Sequence, residues 1–171
     1  TIYLSPAEIG IGKREPIEDI AQVLSRYVDA ISIRAFSHNT ITEFAKYSDV
    51  PVINALSDIE HPCQALADLV TIMEKVGKLE GTSVAFIGDG NNVASSLCLA
   101  AIAVGSKFTI ASPSGYNLPK NISDKAKIMA KKTGGSFQAL ENPEQATKDA
   151  DVVYTDVWVS MGDEGSTDQR L

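Results

Sequence analysis

The sequence predicts an α/β protein with parallel sheets covered by helices on both faces. Short apolar runs rich in Val, Ile and Phe alternate with stretches of helical period along the whole chain. Strand, helix, strand in succession demands crossover connections, and those generate parallel pairing with right-handed βαβ units. The composition agrees: of 171 residues, 44% are hydrophobic and 22% charged, an ordinary globular balance. Polar clusters also fall where the apolar runs end, which is where open parallel sheets bind ligands.

The elements follow in order. Thr1-Ile2-Tyr3-Leu4 reads as a short strand entered without preamble. From Pro16 to Tyr27, Ile17, Ile20, Ala21, Leu24 and Tyr27 share one helical face, with Pro16 suited to the first turn. Residues 30–36 (AISIRAF) form a strand whose apolar face Arg34 interrupts; a helix over 40–47 and a strand over 51–56 come next. The longest helix runs from Pro62 to Val76, with Leu66, Leu69, Val70 and Met73 on its apolar side and Gly77 as its stop. Gly77 to Thr82 reads as a hinge. Strands at 83–87, 108–111, 136–140 and 151–155 then alternate with helices at 92–104, 122–132 and 143–147. The last eleven residues, from Met161, have polar loop chemistry, and the chain reads as a piece of something longer.

Several function classes are disfavoured at once. No apolar run approaches the ~20 residues of a membrane span. A net charge of −7 and a pI near 4.8 have the wrong sign for a nucleic-acid footprint. No signal-peptide pattern, repeat or low-complexity tract is visible. Two cysteines, Cys63 and Cys98, are too few for a disulfide scaffold and match no zinc spacing, so a reducing cytosol is expected.

Four clusters carry chemistry. Arg34, late in its strand and followed by Ser37-His38, needs a partner if buried; a phosphate or carboxylate ligand suits it as well as an internal ion pair does. His61-Pro62-Cys63-Gln64 opens the longest helix, whose free N–H groups and dipole favour an anion. Gly88-Asp89-Gly90-Asn91-Asn92-Val93 superficially follows a dinucleotide fingerprint, but Val93 holds the third glycine position and the next strand ends in Ser112-Pro113 without an acid for a ribose. Its asparagines suit helix caps or hydrogen bonds to a zwitterion. Asp156-Val157-Trp158-Val159-Ser160-Met161-Gly162 closes the last strand; Asp156 can pair an ammonium, and Trp158 suits core packing. Cys63 is a weak nucleophile candidate without an assured base, Cys98 suits a buried apolar position, and His38 has no evident partner and reads as a surface residue.

In this order the clusters resemble the aspartate/ornithine carbamoyltransferase family. His61-Pro62-x-Gln64 with Arg34 upstream is similar to its shared carbamoyl-phosphate signature; Asp89-Gly90-Asn91-Asn92 and Asp156-x-Trp158-x-Ser160-Met161-Gly162 resemble its ornithine-using members. The resemblance extends along all 171 residues, including Gly12-Lys13-Arg14-Glu15 and Leu24-Ser25-Arg26. The family's upstream Ser-Thr-Arg-Thr loop, its downstream His-Cys-Leu-Pro motif and a late arginine are absent. The resemblance therefore implies the middle of such an enzyme: residues 1–60 as the end of a carbamoyl-phosphate domain, 61–78 as a connecting helix, and 79–171 as an incomplete, Rossmann-like ornithine domain.

What the resemblance implies is transfer of a carbamoyl group from carbamoyl phosphate to the δ-amino group of L-ornithine, giving citrulline and phosphate, in arginine metabolism. Catalytic roles fall to His61, Arg34 and Gln64. Carbamoyl phosphate would meet Arg34, His61, Pro62, Cys63 and Gln64, and ornithine would meet Asn92, Asp156, Ser160 and Met161. No metal or organic cofactor, nucleic acid or membrane is implied; a cytoplasmic homotrimer is. Two other readings remain: a related carbamoyltransferase with another amine acceptor, and a non-catalytic amino-acid-binding module.

Overall fold

The computed structural model describes residues 1–11 and 14–157. The chain divides into two compact units, residues 1–58 and 59–171. The first contains α1 (Pro6–Ile9), α2 (Ile17–Leu24), β1 (Ile31–Arg34), α3 (His38–Tyr47) and β2 (Val52–Leu56). β1 and β2 pair in parallel, with Ile31 opposite Val52 and Ile33 opposite Asn54. The core forms where Ile20 and Ala21 of α2 meet Ile33 of β1 and Ile41 and Phe44 of α3. That spacing explains both helices: each places an apolar stripe on one side and charge on the other.

Two expectations need correction here. Thr1–Leu4 is irregular rather than extended in a sheet, and Ile2 and Tyr3 are exposed. Apolar residues alone do not make a strand without a ladder partner, and the sheet of this unit consists of β1 and β2. The chain instead turns into α1, where both the backbone N–H and the hydroxyl of Ser5 donate to the Glu8 carboxylate. Arg34 does not interrupt an apolar face either: it is exposed, on the alternation opposite buried Ile33. No desolvation cost is therefore incurred by its charge.

The second unit contains α4 (Pro62–Val76), β3 (Ser83–Ile87), α5 (Asn92–Ala103), β4 (Lys107–Ala111), α6 (Lys120–Thr133), β5 (Ser136–Leu140), α7 (Pro143–Thr147) and β6 (Val152–Thr155). All four strands are parallel, in the spatial order β5-β4-β3-β6. α4 starts with proline at its first turn and stops at Gly77, whose positive φ of 85° returns an N–H to the Met73 carbonyl. Val84, Phe86, Phe108 and Ile110 form the core with Leu97, Cys98, Ala101 and Ile102 of α5 and Ile122 and Ala126 of α6. β3 is buried at Val84, Ala85 and Phe86 alike, as a central strand covered on both faces must be. Burial pushes the Cys98 thiol up to about 12, as suits an inert core residue. Among the described residues, no helix is long and apolar enough to cross a membrane.

Candidate functional site

The strand order β5-β4-β3-β6 creates a switch point. From β3 the chain moves by way of α5 to β4 on one side, whereas β6 lies on the other side of β3. A crevice opens at the carboxyl ends of the two strands flanking such a reversal. The loop after β3 carries Gly88 to Asn91, and Asp156 directly follows β6.

Those two strand ends are joined. Asn91 is the N-cap of α5: its side-chain oxygen accepts from the Ala94 N–H at 3.0 Å, while its Nδ2 donates to Asp156 at 2.8 Å. The cap reading and the site reading of this asparagine are both realised in one side chain. Asn92 Oδ1 accepts from the Val93 N–H at 2.9 Å. The glycines have a local purpose. A Cβ on Gly90 would lie 2.2 Å from the Leu118 nitrogen, and the Gly90 N–H donates to the Tyr116 carbonyl at 2.7 Å. Close approach of protein backbone, rather than of a pyrophosphate, demands glycine there. Buried Ser112 donates to the Gly88 carbonyl, so the residue that stands where a ribose-binding acid is sought serves to hold this loop.

The start of α4 adds a second group. His61 and Gln64 are half-buried and Cys63 is exposed. The His61 backbone N–H donates 2.8 Å to the hydroxyl of buried Ser96, which in turn donates to the Glu60 carboxylate. Gln64 Nε2 donates to Asp68 Oδ1 at 2.8 Å, one helical turn along. The Tyr154 hydroxyl, on β6, approaches the same carboxylate, and the Tyr154 ring stacks on Phe86 at a centroid distance of 5.4 Å. Burial raises the Asp68 pKa, against the hydrogen bonds of Gln64 and Tyr154 and the charge of His61, which act to lower it. Burial, then the charges of Asp68 and Asp156, push the Tyr154 phenol up to about 12. Tyr154 thus lies between the α4 group and the Asn91–Asp156 pair.

The first unit holds its own polar end. Arg34 lies at a register shift in the β1–β2 pairing, the kind of irregularity that re-aims a side chain. His38 is not a partnerless surface residue: its Nδ1 lies 2.9 Å from the hydroxyl of fully buried Ser57, and its backbone N–H donates to Asp58 at 2.9 Å.

Within the second unit, then, His61, Gln64 and Asp156 enter one arrangement through residues the sequence reading did not single out: Ser96, Glu60, Asp68 and Tyr154. The separation of Gln64 from Asp68 by four residues was a usable signal, since such pairs share a helix face; nothing local marks Ser96 or Tyr154. Arg34 belongs to the other unit. Trp158, Ser160, Met161 and Gly162 lie outside the described residues, as do Gly12 and Lys13. Among the described residues no three His, Cys, Asp or Glu side chains are grouped to hold a metal ion.

Comparison with known proteins gives two consecutive family matches. Residues 1–74 match the carbamoyl-P binding domain, and residues 80–171 the Asp/Orn binding domain, of aspartate/ornithine carbamoyltransferases. An ornithine carbamoyltransferase from Methanobrevibacter smithii is 51% identical over 99% of this chain and 56% of its own length. One from Listeria monocytogenes is 50% identical over 99% of this chain and 54% of its own. The ornithine carbamoyltransferase structure from Pyrococcus furiosus superposes with a TM-score of 0.94 at 48% identity, covering 99% of this chain and 54% of that one. The chain spans about half the length of the curated relatives it matches.

Proposed function

The chain belongs to the aspartate/ornithine carbamoyltransferase family, and from that premise we propose that it is part of a longer, cytoplasmic, homotrimeric enzyme that carbamoylates L-ornithine. Carbamoyl phosphate and ornithine are the substrates, citrulline and phosphate the products. Residues 1–60 close the carbamoyl-phosphate domain, 61–78 connect, and 79–171 bind ornithine. The observation that carries this reading is the polar arrangement at the carboxyl ends of β3 and β6, with His61 and Gln64 leading into it from α4.

The chemistry follows from what each side chain offers. Attack of the δ-amine on the carbamoyl carbon builds negative charge on the carbonyl oxygen. His61 and Arg34 donate to that oxygen, and one such donor is typically worth about 3–4 kcal/mol. Pro62 and Cys63 line the helix start, whose N–H groups favour the anion. Arg34 also takes the departing phosphate. Gln64 accepts from the carbamoyl NH₂ and fixes its plane. On the acceptor side Asn92 and Asp156, with Ser160 and Met161, hold the α-amino and carboxylate groups of ornithine, so that only the δ-nitrogen faces the carbonyl. Holding two substrates in this way supplies much of the rate, because it removes the entropic cost of their encounter.

Calorimetric titration of the 171-residue chain with carbamoyl phosphate, then with L-ornithine, tests the reading. Carbamoyl phosphate is expected to bind, with at least a tenfold loss of affinity in His61→Ala. The chain alone is expected to form no citrulline, since the phosphate loop and cysteine motif of the family are absent from it. Equal binding by wild type and His61→Ala removes the assignment of His61, and citrulline formation removes the claim of inactivity.

A further inference from the structure

We propose that Asp68 is a positioning residue that decides which end of the Gln64 amide faces the substrate. The proposal rests on the carbamoyl-transfer reading for its ligand, but its geometry stands by itself. An amide has a donor end and an acceptor end, and rotation by half a turn exchanges them. A carbamoyl NH₂ carries donors, so only the Gln64 oxygen can serve it. Asp68 settles the choice. Its carboxylate is an acceptor, and the Gln64 nitrogen lies 2.8 Å from Oδ1, which turns the amide oxygen away from Asp68.

Two surroundings hold Asp68 in that role. Asp68 and Gln64 are one turn apart on the same helix, so their separation is fixed by α4 itself. The Tyr154 hydroxyl approaches the same carboxylate from β6, and its ring is held by stacking on Phe86. The Gln64 donor on Oδ1 and the nearby Tyr154 hydroxyl favour the acceptor form of this half-buried carboxyl group, in opposition to burial, which raises its pKa. Asp68 is too far along α4 to be part of the helix N-terminus, and nothing assigns it a substrate contact. It acts through Gln64.

Two variants and one cycle test this. Asp68→Leu keeps the shape and removes both acceptor oxygens; Asp68→Asn keeps one acceptor. In the ¹⁵N-edited spectrum of the chain, the two Gln64 side-chain NH₂ protons should be widely separated in wild type. They should move together toward free-amide positions in Asp68→Leu and return largely to the wild-type pattern in Asp68→Asn. Carbamoyl-phosphate affinity should fall about tenfold in Asp68→Leu, in line with one charge-assisted hydrogen bond. In the Gln64→Leu background, Asp68→Leu should cause no further loss, because the two residues act as one unit.

Unchanged Gln64 resonances in Asp68→Leu overturn the proposal, as do losses that multiply in the double variant. A wild-type chain that binds no carbamoyl phosphate counts against the carbamoyl-transfer reading. The amide resonances still decide the positioning role in that case.

Discussion

Gly90 shows that a glycine after a strand can be demanded by the chain's own backbone, in keeping with the departures from a dinucleotide fingerprint at Val93 and Ser112-Pro113. Glycines after a strand suggest a phosphate cradle, yet the atom that would collide with a Gly90 side chain belongs to the chain itself, the Leu118 backbone nitrogen. Gly90→Ala is therefore expected to cost on the order of 2–3 kcal/mol, as overpacking at an unyielding backbone does; a urea midpoint within error of wild type would refute this. The same scale separates Arg34 from expectation. An arginine within AISIRAF looks buried by sequence, but alternation along β1 gives inward placement to Ile33 and leaves Arg34 exposed. The polar types at 61, 64, 91 and 156 were legible because each stands at an element boundary. Asp68 was not, because a charged residue within an amphipathic helix is most often a solvated one.

Elements whose ends carry their own chemistry were read closely. α4 runs from Pro62 to Val76, as Pro62 and Gly77 announce, and β5 and α7 coincide with the expected 136–140 and 143–147. Their boundaries are set by proline, glycine and an asparagine cap, all local signals. Thr1–Leu4 failed for the opposite reason: whether an apolar run becomes a strand depends on a partner, which no local pattern encodes. The cap of α5 is a case where element stability and site geometry meet. Asn91→Ala should cost about 1 kcal/mol through the lost cap, and should also release Asp156. Asn91→Ser, which can still cap the helix, should recover most of the stability while leaving the Asp156 contact unmade. Thermal or urea denaturation of the pair checks this; equal loss in both variants would place the cost in the Asp156 contact instead.

At the scale of the molecule, the two units differ in what they bury. Among the described residues, the first has a core of five buried residues against a two-stranded sheet, and the second a core of thirteen against four strands. Small cores with few strands resist opening less. Native-state hydrogen exchange should therefore find the β1 amide of Ile33 exchanging at least tenfold faster than the β3 amide of Phe86; equal protection would mean that the chain opens only as a whole. The α/β class was legible throughout, since alternation of periods is a property of the whole sequence. The spatial order of the strands was not, because it depends on which crossover returns past which strand. That order has a consequence in time. β4 and β5 can add to β3 as each is made, but the other edge of β3 waits for β6, and Ser83 bonds to Asp151 across 68 residues of chain. During synthesis, Tyr154 and then Asp156 are therefore the last members of the polar arrangement to arrive. Until the ribosome has released them, the nascent sheet presents an open β3 edge, a template for mispairing that folding helpers or rapid elongation must shield.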